Sequence, residues 1–160
     1  MCEPMMQYED IVYPKKKSSV WKRAWIAAIA LVGISTAANA QEDFIDITID
    51  LSEQTMFVDS TLGAAAWPVS TGRKGYRTPV GDFKPTRLEE MWYSKKYDDA
   101  PMPYSIFFHE GYAIHGTQHV DRLGMPASHG CVRLSEDNAA VLYEIVEYVG
   151  PENTYIRVQP

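Results

Sequence analysis

Ile45-Asp46-Ile47-Thr48-Ile49-Asp50-Leu51 alternates apolar and polar residues without a break. A period of two puts Ile45, Ile47, Ile49 and Leu51 on one side of an extended chain, the pattern of a half-buried strand. Working outward, Ser52 to Gln54 reads as a polar turn and Met56 to Asp59 as the returning strand. Trp67-Pro68-Val69-Ser70 reads as an edge strand, because Pro68 cannot donate to a ladder. A loop over Thr71 to Tyr76 leads to a short strand within Thr78-Pro79-Val80-Gly81-Asp82-Phe83. Residues 88 to 103 show no period and read as a long loop carrying Trp92, Tyr93, Met102 and Pro103. Ser105 to Phe108 and Tyr112 to Ile114 form a predicted hairpin turning near Glu110-Gly111 and ending at His115-Gly116. One helix is predicted over residues 136–149. Ser135 is its N-cap, Glu136 and Asp137 suit the positive end of its dipole, and Gly150-Pro151 stops it. Its apolar face carries Leu142, Ile145, Val146 and Val149, and Thr154 to Val158 makes a last strand. The fold class is mainly β with one packed helix.

The first forty residues have a different character. Lys15, Lys16, Lys17, Lys22 and Arg23 precede an apolar run from Ala24 to Ile34, and small residues end at Ala38-Asn39-Ala40. Basic, apolar, then A-x-A is the layout of a secretory signal peptide, with cleavage expected after Ala40. The apolar run is short of the ~20 residues a spanning helix wants; an uncleaved membrane anchor is the rival reading, and no stable membrane span is expected after cleavage. Residues 41–160 then suit one domain with a single core. Of 15 basic and 21 acidic residues, the leader removes five and three, leaving 10 and 18 and a net charge of −8. Nothing in that balance invites nucleic acid or an anionic membrane surface.

Cysteine usage narrows the chemistry. Cys2 leaves with the leader, and Cys131 then stands alone in a protein sent to an oxidising compartment. A lone cysteine there is an intermolecular link, a reactive thiol or a small buried apolar group. Its neighbours, Ser128-His129-Gly130-Cys131-Val132-Arg133, favour the reactive reading. A loop just before the capped helix exposes the sulfur, and Gly130 allows close backbone approach. Free backbone N–H groups near a nucleophile make an oxyanion hole. The thiol needs a base or a cation nearby, and both His129 and His115 could serve; spacing alone does not choose between them.

Ile114-His115-Gly116-Thr117 followed by Ser128-His129-Gly130-Cys131-Val132-Arg133-Leu134 resembles the signature of the L,D-transpeptidase (YkuD-type) catalytic domain family. Val69-Ser70-Thr71-Gly72, Thr78-Pro79-Val80-Gly81-Asp82-Phe83 and Met102-Pro103-Tyr104 are similar to further family segments, and the likeness covers nearly all of residues 44–158. It implies an L,D-transpeptidase-like β-sandwich of mixed sheets. It also implies roles. Cys131 is the nucleophile, His115 the general base and the Gly116 carbonyl the group that orients the imidazole. Backbone N–H groups near Gly130 and Cys131 form the oxyanion hole, with His129 contributing. Arg133 pairs with a substrate carboxylate, and Ser128 and Tyr104 are expected at the substrate. Many members carry Asn in place of Arg133, and the insert between His115 and Ser128 is short.

The implied reaction is acyl transfer. A thiolate attacks the diamino acid–D-Ala bond of a peptidoglycan tetrapeptide stem, D-Ala leaves, and a thioester passes to an amine acceptor in a second stem or an envelope protein. Water as acceptor gives a carboxypeptidase or amidase with the same site, and a catalytically silent wall-binding module is the non-enzymatic alternative. No metal and no organic cofactor are implied, and the protein is expected in the periplasm or cell envelope.

Overall fold

A computed structural model describes residues 43–160. The expected signal peptide, residues 1–40, lies outside the described residues. Two mixed sheets and one α-helix make up the described chain. The first sheet runs β3-β2-β1-β9-β4, with β1 Ile45–Asp50, β2 Thr55–Ser60, β3 Gly63–Pro68, β4 Gly81–Phe83 and β9 Thr154–Gln159. The alternating stretch is its central strand: β1 pairs antiparallel with β2 and parallel with β9. Ile45, Ile47 and Ile49 all point into the core, beside Met56, Val58, Ile156 and Val158. The predicted edge strand is the sheet edge, but it spans Gly63–Pro68 rather than Trp67–Ser70. Of the segment Thr78–Phe83, only Gly81–Phe83 pairs, against Ile156–Val158.

The second sheet runs β5-β6-β7-β8, with β5 Arg87–Ser94, β6 Ala100–His109, β7 Tyr112–Thr117 and β8 Val132–Ser135. Helix α1, Glu136–Val149, packs on β6, β7 and β8 through Ala139, Leu142, Ile145, Val146 and Val149. Its N-cap is Ser135, whose Oγ accepts the Asn138 N–H at 3.3 Å. The bounds match the sequence reading because cap, apolar face and stop signal agree there.

Two expectations are overturned in this sheet. Residues 88–103 are not a long loop but most of a hairpin, with Arg87 opposite Phe107 and Ser94 opposite Ala100. It shows no apolar alternation because no residue of β5 is fully buried, so the ladder and not a core face holds it. Pro101 and Pro103 stand opposite Tyr93 and Met91 in that ladder, but β6 pairs with β7 only from Ile106 onward, so along the prolines β6 is an edge with one neighbour, where proline is tolerated. The second correction concerns Cys131, which does not lead straight into the helix: strand β8 intervenes. Four residues between a loop and a cap are too few to show a period.

Candidate active site

The parallel ladder between β7 and β8 decides which residues meet. Ile114 pairs with Val132, His115 with Arg133 and Gly116 with Leu134. Alternation then sorts the side chains. Ile114, Val132 and Leu134 face the core with no exposed surface. Ala113, His115 and Thr117 share the opposite face with Cys131 and Arg133. That face opens into a cleft of about 700 Å³, lined by His115, Gly116, Cys131, Arg133, His129 and parts of the β5–β6 hairpin. Cys131 packs on a small apolar cluster of Met102, Phe107, Ala113 and Trp92. The Arg87 guanidinium lies 4.3 Å from the Trp92 ring and 4.0 Å from Phe107, closing one wall by cation–π contact.

The His115 ring is buried, 6% exposed. Its Nδ1 lies 2.8 Å from the Gly116 carbonyl oxygen. A carbonyl only accepts, so Nδ1 carries the hydrogen and Nε2 keeps its lone pair. Burial pushes the imidazole down to about 4; Arg133 pushes the same way, and the Gly116 carbonyl works against them. The ring is therefore neutral at physiological pH. Burial also pushes the Cys131 thiol above its usual range, while a backbone hydrogen bond from Ala113 and the charges of Arg133 and Lys96 pull it back. A neutral imidazole with one free nitrogen, beside a half-buried thiol, can take the thiol's proton as the sulfur attacks.

The loop before Cys131 is held by hydroxyl groups. Ser128 is fully buried. Its Oγ accepts the Gly130 N–H at 3.0 Å and donates to the Cys131 carbonyl. Thr78 Oγ1 donates to the Gly130 carbonyl and accepts the Gly72 N–H, both at 2.9 Å. Thr71 is gripped in turn by Gln54, whose Nε2 donates to Oγ1 at 2.7 Å and whose Oε1 accepts the Thr71 N–H at 3.0 Å. Gly130 sits at φ +116°, and a Cβ there would stand 2.5 Å from the Tyr112 ring. Both the backbone angle and the space exclude a side chain.

His129 is built differently from His115. Its Nε2 lies 2.7 Å from an Arg73 guanidinium nitrogen, so that nitrogen accepts and cannot also act as a base. The ring stacks on Tyr97 at 4.5 Å and meets Tyr76 edge-on at 4.6 Å. Burial lowers its pKa, with Arg73, Arg133 and Lys96 adding to the effect. Arg133 is half-buried and, among the described residues, makes no ion pair. Burial and Arg73 lower its pKa, while Cys131 works the other way. Of the expected substrate contacts, Tyr104 does not line the cleft. It sits at φ +54° and its ring packs edge-on against Tyr143 of α1 at 6.0 Å. Arg73, Tyr76, Tyr97, Lys96 and Thr78 were not singled out from the sequence. Only the basic, aromatic character of the two loops hinted at the first four.

The family model of the L,D-transpeptidase catalytic domain (YkuD) matches residues 45–156. The chain belongs to this family. Among solved structures, an L,D-transpeptidase from Stackebrandtia nassauensis is 28% identical, with a TM-score of 0.61 over 79% of this chain and 62% of that one. An L,D-transpeptidase from Mycobacterium smegmatis is 22% identical, with a TM-score of 0.65 over 74% and 59%. L,D-transpeptidase 3 from Mycobacterium tuberculosis, solved with a faropenem-derived adduct, is 22% identical, with a TM-score of 0.64 over 74% and 61%. The chain thus spans about three-fifths of the length of the transpeptidases it resembles. No curated protein sequence matches it. Two mixed sheets with one helix are the fold these L,D-transpeptidases share with it. Among the described residues, no helix is long and apolar enough to cross a membrane.

Proposed function

We propose that the chain is a cysteine-dependent L,D-transpeptidase that forms a thioester on Cys131 and passes it to an amine. One observation carries the reading. Inside the stretch that matches the family, His115 holds its proton on Nδ1 against the Gly116 carbonyl and leaves Nε2 free on the face it shares with Cys131.

Cys131 is the nucleophile and His115 Nε2 the base. The thiol proton moves to Nε2 as sulfur attacks the carbonyl of the diamino acid–D-Ala bond in a tetrapeptide stem. The C–N bond breaks, D-Ala takes that proton on its nitrogen, and a thioester remains. An acceptor amine then forms a new C–N bond as the C–S bond breaks. The amine proton returns through Nε2 to sulfur. Because the Gly130 N–H is engaged by Ser128, the Cys131 N–H is the amide assigned to the developing oxyanion. Ser128 acts by shaping the loop, and His129 by building the wall of the cleft. Arg133, charged and without a carboxylate partner, pairs with a substrate carboxylate. The expected leader and the wall-peptide substrate together put the protein in the periplasm or cell envelope, acting on stem peptides or attaching an envelope protein.

The test is mass spectrometry of a purified disaccharide-tetrapeptide incubated with the chain and with its Cys131→Ala variant. Loss of D-Ala with dimer formation, absent in the variant, is the expected result. Loss of D-Ala without dimer means that water is the acceptor. Full activity in Cys131→Ala would sink the mechanism, and binding without any release of D-Ala would favour a wall-binding module.

A further inference from the structure

Met102 and Phe107 stand five positions apart on β6, yet both belong to the cluster against which Cys131 packs. An odd separation puts two residues of a regular strand on opposite faces. The alternation switches at Tyr104, which takes φ +54°. The β5–β6 ladder skips that position, passing from the Glu89–Ser105 pair to the Met91–Pro103 pair. A tyrosine in the left-handed region is a strained choice. Its result is that both halves of the hairpin turn an apolar side chain toward the sulfur. Arg87 stands opposite Phe107 and Trp92 opposite Met102, and residues directly opposite share a face. There the Trp92 and Phe107 rings meet edge-on at 5.8 Å, and the Arg87 guanidinium covers both, 4.3 and 4.0 Å from their centres. Among the described residues its one ion pair is with Glu89 at 3.5 Å, with both side chains partly exposed; a pair of that kind contributes little. A guanidinium is weakly hydrated and lies flat on aromatic faces, so it can cap an apolar wall at the solvent boundary without bringing a water shell with it. Without it, the junction of the two rings would face solvent at the rim of the cleft that holds Cys131.

Resting on the acyl-transfer reading above, we propose that Arg87 is a positioning residue that decides the fate of the acyl-enzyme: by holding Trp92 against Phe107 it keeps water from the thioester and so favours transfer over hydrolysis. Two reactions compete for that thioester. An amine forms a C–N bond as the C–S bond breaks, and its proton ends on sulfur. Water forms a C–O bond as the same C–S bond breaks, giving the tripeptide acid and again the free thiol. Both use His115 as the base, so activation of the nucleophile does not separate them. Access does. An amine arrives on a peptide large enough to displace solvent from the cleft, whereas water needs only a gap beside the sulfur. Closing that gap lowers hydrolysis and leaves transfer open.

The experiment incubates the chain with disaccharide-tetrapeptide in heavy-oxygen water and scores, by mass spectrometry, tripeptide carrying the heavy oxygen against dimer. The ratio of the two products is read, not the rate, so a variant that acylates slowly still reports. Arg87→Ala is expected to raise hydrolysis relative to transfer at least about fivefold. Arg87→Lys keeps a cation above the rings and is expected to stay within about twofold of the wild type. Arg157→Ala removes a cation from a remote surface pair with Asp82 and is expected to keep the wild-type ratio. A merely structural role for Arg87 lowers both products together and leaves the ratio unchanged, which overturns the proposal. So does an equal rise in Arg87→Lys or Arg157→Ala, or a wild type that only hydrolyses. Should Arg87→Ala not fold, Trp92→Leu opens the same wall from its other member and is held to the same rise of about fivefold. If the wild type releases no D-Ala and forms neither product, the acyl-enzyme reading fails instead.

Discussion

Protonating His115 should cost the fold directly. Its imidazole titrates near 4 in the folded chain against 6.5 when unfolded, chiefly because burial disfavours the charged form. The lowered value sets the sign. As pH falls below 6.5, the unfolded chain takes up a proton that the folded chain refuses, so stability declines through the window from 6.5 to 4 and levels off below it. Between about pH 7 and about pH 4.5 the loss from this one group is about 2 kcal/mol. Asp50 is held down to about 2 by hydrogen bonds from Gln159 and Ser52, so its share is lost below 3.8, outside that window. His129 is shifted in the same direction as His115 and remains in both proteins. The assay is urea unfolding of the wild type and of His115→Gln at the two pH values, followed by tryptophan fluorescence. Glutamine keeps an N–H that can reach the Gly116 carbonyl but has no charge to gain. The wild type is expected to lose about 2 kcal/mol more than the variant on acidification. Parallel losses would refute the claim that His115 is buried and neutral, and with it the reason for calling it a base.

Four further outcomes follow from the same geometry. With the imidazole neutral down to about 4, kcat/KM should show no acidic limb near 6.5; a limb there means that another group is the base. His115→Ala should cost far more rate than His129→Ala, since Nε2 of His129 is engaged by Arg73, and equal losses in D-Ala release would undo that assignment. Thr78→Val strands the Gly72 N–H and removes a donor to the Gly130 carbonyl; about 2 kcal/mol of stability should go, with slower labelling of Cys131 by a thiol reagent. Gly130→Ala should lower acylation at least about a hundredfold, and adding Tyr112→Ala should not restore it, because φ +116° remains forbidden to alanine when the ring is gone.

The parts of the fold that were legible in the sequence are those where one local signal had a single physical meaning. Ile45, Ile47 and Ile49 alternate because one face of β1 is buried and the other is not. Ser135, the apolar helix face and Gly150-Pro151 bracket the helix for the same reason. The β5–β6 hairpin was illegible because pairing, not burial, holds it, and the prolines of β6 argue for a loop unless the neighbouring strand is known to stop at Ile106. At the site, Cys131 stood out as a lone cysteine, whereas the choice of His115 over His129 and the role of Arg133 came with the family resemblance. Their meeting on one face depends on a parallel register that no local pattern encodes. Tyr104 looked like a groove residue because tyrosine suits either a groove or a core; its left-handed backbone turns it toward Tyr143 instead. Thr78 and Gln54 went unnoticed because single polar residues in loops carry no signal until their buried partners are known.

The rungs between β7 and β8 hold His115 opposite Arg133, two residues beyond the sulfur, while the chain joining the strands runs over the surface from Gln118 to Ala127. Those ten residues include Gln118 and His119, which line the cleft. The second half of the segment is tied down, with the Gly124 and Ala127 N–H groups donating to the Val69 and Thr71 carbonyls at 2.8 and 3.0 Å, whereas Gln118 to Arg122 is exposed. Changes in its exposed first half therefore alter the rim of the cleft while leaving the strands beneath it as they are.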